Sequence, residues 1–265
     1  MPAAYHFAYP PLDVTKKQSK TLDWASGYVA LSYVWGPDRP SYEIEVNGQS
    51  FLVRSNLFEF LLQERKGRYA GSNHLWIDAL CINQINLKEC NHQVRQMLEI
   101  YKSAAFVLVW LGKRHDDVDK IFTFARDHKG KPAPEYFDQL SEKEKQTLFE
   151  NLATVCKHDY WSRLWIVPEI LAARDVHVSC GYWNVVSWSS LTSFVSEVWK
   201  QIRPPSGVSN ETDLAYQEVI GSSDIIKFMK QRKPSAFPAP CPAVSATSIV
   251  PTIWIPLSEL TTMSF

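Results

Sequence analysis

The sequence is short of most features that would tie it to a membrane, a metal or a phosphate loop. None of its apolar runs approaches the ~20 residues that a bilayer-spanning helix needs. The opening MPAAYHFAYPPLD lacks the basic stretch and apolar core of a secretory signal, so a cytoplasmic location is expected, with no membrane partner. The formal net charge is zero, 28 basic residues against 28 acidic. That balance argues against nucleic acid as an obligate partner, because phosphate binding needs clustered Lys and Arg. The five cysteines, Cys81, Cys90, Cys156, Cys180 and Cys241, are odd in number and irregular in spacing, and no C-x-x-C pair occurs. They read as reduced thiols of a cytosolic protein, forming neither a disulfide framework nor a zinc site, so no metal is expected. Only ten glycines and no glycine-rich phosphate loop argue against a nucleotide cradle of that type.

What the chain does have is enough apolar residue to build a core: 45% of its 265 residues are hydrophobic, and ten are tryptophan. Most of those indoles are expected inside, with a few at loop ends available to a planar ligand. A polar lead-in runs over residues 1–26. Tyr28 to Val34 (YVALSYV) is then a continuous apolar run closed by Trp35-Gly36-Pro37, which predicts a strand buried on both faces. Glu43 to Val46 and Gln49 to Val53 flank Asn47-Gly48, a pair suited to the positive φ angles of a tight hairpin turn. Asn56 with Glu59 suggests a capped helix carrying Leu57, Phe58, Leu61 and Leu62. Leu75 to Asp78 predicts a short strand. Asn86 and Glu89 open a helix with Val94, Met97, Leu98 and Tyr101 on its apolar face, and Ala105 to Leu111 predicts a third buried strand.

Further along, an amphipathic helix is expected around Ile121, Phe122 and Phe124, and a capping box at Ser141 and Glu144 opens another. A helical segment over Trp165 to Ala173, a hairpin from Asp175 to Val186 and a helix over Ser189 to Gln201 follow. A helical extension is expected over 203–232. Residues 233–265 are Pro-, Ala- and Ser-rich, which predicts disorder. The alternation of strands and helices gives an α/β fold: a mainly parallel central sheet flanked by helices in three layers, with a β-hairpin insertion. Ligands of such sheets sit beyond the carboxyl ends of the strands, which selects Ser32 to Gly36, Asp78 to Gln84, and Gly112 onward.

Three segments carry a family resemblance: YVALSYVWG from Tyr28 to Gly36, LWIDALCINQINLKECNHQVRQMLEIYKSAAFVLVWLG from Leu75 to Gly112, and YWSRLWIVPEI from Tyr160 to Ile170. The sequence CGYWNVVSW from Cys180 to Trp188 is a weaker echo. They resemble the fungal heterokaryon-incompatibility (HET) domain, here over residues 27–202. The chain departs from the family pattern at Cys90, where a basic residue is common, and at Pro168, where Gln is common. The resemblance implies self/non-self recognition and programmed cell death, with other incompatibility proteins or a second copy as partners. HET domains are in turn remotely similar to TIR domains, some of which cleave NAD. That likeness implies a TIR-like, flavodoxin-like sheet with Glu169 as the catalytic carboxylate. Ser32, Tyr33, Trp35, Gly36, Asp78 and Trp165 would then surround NAD, as a substrate and not as a resident cofactor.

The residue types suit that chemistry. Nicotinamide leaves as a neutral base from a cationic precursor, so no strong acid is needed, and a fixed carboxylate can stabilise an oxocarbenium-like ribosyl centre. Trp35 or Trp165 can stack on a planar base. Ser32 and Gly36 can admit a phosphate to backbone N–H groups. Each residue also has a structural alternative. Glu169 can pair with Arg163 or Arg174, and Asp78 can shape the loop that follows it. Asn83 and Gln84 can knit that loop through their amides. Cys81, after a strand, is a candidate nucleophile or a small buried side chain.

Overall fold

The structure, a computed structural model, describes residues 28–46, 49–64, 74–127, 139–181, 184–202 and 255–256. The lead-in over 1–26, the extension over 203–232, the Asn47-Gly48 turn and most of the Pro-rich segment lie outside the described residues.

The central sheet has six strands: β1 (Tyr28–Tyr33), β4 (His74–Trp76), β5 (Phe106–Trp110), β6 (Val176–Cys180), β7 (Asn184–Ser187) and β8 (Ile255–Pro256). Their spatial order is β7-β6-β5-β1-β4-β8. β1 pairs in parallel with β4 and β5, and β5 in parallel with β6. β7 and β8 close the two edges in antiparallel fashion. Between β1 and β4 the chain inserts a separate antiparallel hairpin, β2 (Ser41–Val46) and β3 (Gln49–Arg54), with Val46 opposite Gln49.

β1 is apolar throughout, apart from Ser32, because it is central and covered on both faces. Its residues alternate between two cores. Val29, Leu31 and Tyr33 face one side, with Leu75, Phe106, Leu108 and Trp110. That side is closed by α1 (Ser55–Glu64) and the hairpin, through Leu57, Phe60, Leu61, Ile44 and Val53. Tyr28, Ala30, Trp76, Val107 and Val109 face the other side. There the cover comes from α3 (Leu87–Ser103), α4 (Asp116–Asp127), α5 (Glu142–Cys156), α6 (Ile166–Ala172) and α7 (Trp188–Ile202). A pattern of period two along the strands thus produces three layers.

The helix signals hold to different degrees. Ser141 caps α5 in a reciprocal box with Glu144. Asn86 caps α3 by accepting from the N–H groups of Lys88 and Glu89, but the Glu89 carboxylate accepts from Asn83 N–H at 3.0 Å instead of closing a box. Asn56 is not a cap. It lies inside α1, and its Nδ2 donates to the Val34 carbonyl at 2.8 Å, while Glu59 pairs with Lys113. The inward face of α3 is also rotated from the expected one. Gln93, Met97, Ile100 and Tyr101 are buried, whereas Val94 and Leu98 are 43% and 51% exposed. Two apolar stripes run side by side on this helix. The core takes the one that meets β1, where the Tyr28 hydroxyl donates to the Ile100 carbonyl and the Tyr101 hydroxyl to the Leu31 carbonyl.

Candidate functional site

Ser32 is the one polar side chain of β1, in the middle of the sheet and turned toward the helical layer. Above it runs the segment after α5. A 3-10 turn at Asp159–Ser162 is fixed by His158, whose Nδ1 accepts from Tyr160 N–H at 3.1 Å, and by Trp161, whose Nε1 donates to the Val155 carbonyl at 2.7 Å. This turn buries Tyr160 completely, and α6 then brings Glu169 down from the same side.

The result is a hydrogen-bonded chain. Ser32 Oγ donates to Glu169 Oε2 and lies 2.5 Å from the Tyr160 hydroxyl, which in that arrangement donates to Ser32. Arg163 Nη2 stands 3.8 Å from Glu169 Oε1, and its guanidinium lies 5.6 Å from the Tyr160 ring centre. Arg163 Nη1 is buried and has no hydrogen-bond partner among the described residues. Glu169 itself is 1% exposed. Its structural partner is therefore Arg163 and not Arg174, and it is closed from solvent by the residues that bind it.

Asp78 joins the same neighbourhood from β4. It does not end the strand, as the sequence suggested, but begins the short helix α2 (Asp78–Cys81). Its Oδ2 accepts from Trp35 Nε1 at 2.8 Å and its Oδ1 from Ala79 N–H at 2.7 Å. The loop beyond is knitted by Gln84 Nε2, donating to the Asp78 carbonyl, and by Asn83 Oδ1, accepting from Ile85 N–H. Trp35 spends its N–H on Asp78, and the Arg54 guanidinium lies 5.1 Å from its ring centre. Tyr33 is buried on the hairpin side of the sheet, and burial, with Asp78 adding to it, holds its hydroxyl well above the usual phenol range.

The electrostatics are set first by burial of two carboxyls, with the Arg163 guanidinium pulling the other way on both. Burial pushes Glu169 up to about 7, against the opposing pull of Arg163 and the Ser32 hydrogen bond, with Asp78 adding to the rise. Burial also raises Asp78, opposed by its bonds from Trp35 and Ala79 and by Arg163. Near neutral pH the Glu169 carboxyl is thus poised between its two protonation states, which suits acid–base work or stabilisation of a developing cation.

Two of the expected residues stand apart from this cluster. Gly36 adopts φ +76°, and an added Cβ would lie 2.9 Å from Asn56 Nδ2; its carbonyl accepts from Arg54 at 2.8 Å. It serves a tight turn, and its contacts are with Asn56 and Arg54. Trp165 sits at the start of α6, half exposed, and makes no hydrogen bond or ring contact among the described residues. Tyr160 and Arg54 escaped sequence reasoning, although Tyr160 opens the third motif. Cys81 is buried, accepts from Ile77 N–H at 3.4 Å, and has its thiol pushed up to about 12 by burial, so it is no nucleophile. Among the described residues no cluster of three or more His, Cys, Asp or Glu could hold a metal, and no helix is long and apolar enough to cross a membrane. A groove of about 850 Å³ opens beyond β5 and β6, lined by Arg114, Asp119, Arg126 and Asn184 among others, and none of the seven expected residues lines it.

Fold and site together define a three-layer α/β domain with a buried carboxyl cluster at the carboxyl rim of its sheet. The heterokaryon incompatibility protein (HET) family model matches residues 28–169, from the first residue of β1 to the buried glutamate, and the chain belongs to that family. It is 28% identical over 215 residues to heterokaryon incompatibility protein 6, OR allele, of Neurospora crassa. That match covers 63% of this chain and 31% of the relative, so the chain spans about a third of the length of the protein it resembles. No solved structure matches it.

Proposed function

We propose that this domain acts in the cytoplasm in self/non-self recognition, as an effector of programmed cell death, and that its carboxyl cluster hydrolyses NAD. Water would replace nicotinamide at the ribosyl carbon: the C–N bond breaks with its electron pair leaving on nicotinamide, a C–O bond forms, and one proton is released. Glu169 stabilises the ribosyl cation as its charge develops, and Ser32 and Tyr160 hold its carboxyl in place. Arg163 Nη1 supplies an N–H donor to the substrate, and Trp165, half exposed at the entrance to α6, offers an aromatic face. The supporting observation is that Ser32 and Glu169, 137 residues apart, are hydrogen-bonded beside the part-buried Arg163 guanidinium, with Asp78 close enough to raise the Glu169 carboxyl.

The test is NAD consumption by purified protein and by yeast expressing it. Wild type is expected to deplete NAD, and Glu169→Gln to abolish depletion while folding normally. Unchanged NAD loss and toxicity in that variant would end the enzymatic reading. The closure of Glu169 from solvent favours a second reading, in which the domain is an interaction module that self-associates or recruits other incompatibility proteins. It predicts toxicity without a change in NAD.

A further inference from the structure

His158, where α5 gives way to the 3-10 turn, is bonded through four of its groups. Its N–H donates to the Val155 carbonyl at 3.3 Å and its carbonyl accepts from Trp161 N–H at 3.0 Å, so its backbone joins the helix to the turn. The ring supplies the other two bonds. Nδ1 accepts from Tyr160 N–H at 3.1 Å, and the second ring nitrogen donates to the carbonyl of Leu111, one residue beyond β5. A neutral imidazole has one donor and one acceptor, so this pair of bonds fixes the tautomer: the proton is on Nε2, and Nδ1 is free to accept. The ring thereby ties the turn to the rim of the sheet. That turn carries half of the carboxyl cluster. The Tyr160 hydroxyl reaches Ser32, the Tyr160 carbonyl accepts from Arg163 N–H at 3.3 Å, and the Arg163 guanidinium stands beside Glu169.

We propose that His158 is a positioning residue of this cluster: the acceptor face of its neutral ring holds Tyr160 and Arg163 in register with Ser32 and Glu169. Only one protonation state can do this. A proton on Nδ1 would set an N–H against the Tyr160 N–H, and the bond would give way to repulsion. Burial holds the ring below its usual 6.5, and His115, on the loop after β5, acts in the same direction; the Leu111 bond and Asp159, on the turn itself, oppose them. His115 in turn lies 3.8 Å from Asp117. A value lowered in the fold means that the folded chain favours the neutral ring. The hold is therefore present in full above 6.5 and is lost as pH falls through the lowered value of the folded ring. The role rests on the reading of Glu169 as the working carboxyl for its functional meaning, but the bonds themselves do not require that any substrate be turned over.

Amide hydrogen exchange at Tyr160 and the titration of the Glu169 carboxyl, both followed by NMR on the full chain, test this without NAD. His158→Asn keeps an acceptor where Nδ1 stood, whereas His158→Gln sets its amide where Nε2 stood and leaves the Tyr160 N–H unbonded. Neither replacement ionises. In wild type the protection of the Tyr160 amide, corrected for the intrinsic rate, should fall about tenfold between about pH 7.5 and about pH 5. His158→Asn should keep its protection across that range, and His158→Gln should lack it throughout. The Glu169 carboxyl, at about 7 in wild type, should stay there in His158→Asn and move toward 4.5 in His158→Gln, as water reaches it. A Tyr160 amide or a Glu169 titration that is unmoved in His158→Gln would overturn the proposal, and so would an asparagine variant that behaves like the glutamine one. If a variant fails to fold by circular dichroism, the wild-type amide decides alone: protection that stays flat on acidification overturns the role. The expected pattern in a protein that leaves NAD intact would keep this inference and remove only the reaction.

Discussion

Replacing Glu169 by Gln should make the domain more resistant to unfolding at alkaline pH, although it removes a buried, hydrogen-bonded side chain. The glutamate is 1% exposed and its carboxyl titrates near 7, against 4.5 in a free chain. Below pH 4.5 the carboxyl is protonated whether the chain is folded or not, and its native environment costs nothing. Between 4.5 and about 7 the unfolded chain gives up the proton while the folded domain keeps it, so stability falls as pH rises. Above that interval the loss is complete and amounts to about 3 kcal/mol. Gln keeps the shape and the acceptor for Ser32 but cannot ionise, so it escapes this loss. Urea titrations of both proteins, followed by tryptophan fluorescence at a series of pH values, measure the quantity directly. The stability of the variant minus that of wild type should climb by about 3 kcal/mol from pH 4.5 to 8. The rise of Asp78 acts in the same direction in both proteins and largely cancels in the difference. A difference that stays flat across the range would show that Glu169 ionises freely in the fold, and the account of a strained carboxyl would be wrong. A positive result together with lost activity would mark stability given up for a site.

Two further outcomes follow from the packing. Gly181→Ala should destabilise the domain by about 2 kcal/mol, because φ is +65° there and the new Cβ would sit 2.7–2.9 Å from Arg114 atoms, two of them backbone; thermal melts read this, and a change within a few tenths of a kcal/mol would refute it. Alkylation followed by peptide mapping should leave Cys81 unmodified in the native protein and label it only after unfolding, since its thiol is buried and raised to about 12.

The sheet was legible because its inner strands are almost wholly apolar, Ser32 being the exception: YVALSY and FVLVW need two covered faces, and they have them. The hairpin was legible from alternation, and α5 from its Ser141–Glu144 box. What escaped depends on neighbours far along the chain. Asn56 looks like a cap until the Val34 carbonyl comes within 2.8 Å of its amide. The rotation of α3 could not be read from spacing, because Val94 and Leu98 continue a helical pattern as well as Ile100 does, and only the β1 residues decide between them. At the site, strand-end rules selected Ser32 and Asp78, and the resemblance selected Glu169. Tyr160 emerged only when the 3-10 turn carried its hydroxyl to a serine 128 residues earlier.

The outermost strand on the β4 side has a physical consequence of its own. β8 is two residues long, and Pro256, set opposite His74, carries no amide hydrogen. A newcomer seeking to extend the ladder at that rim would meet a stub with half its donors missing. Among the described residues, fibril-like growth by edge addition is therefore obstructed at that rim.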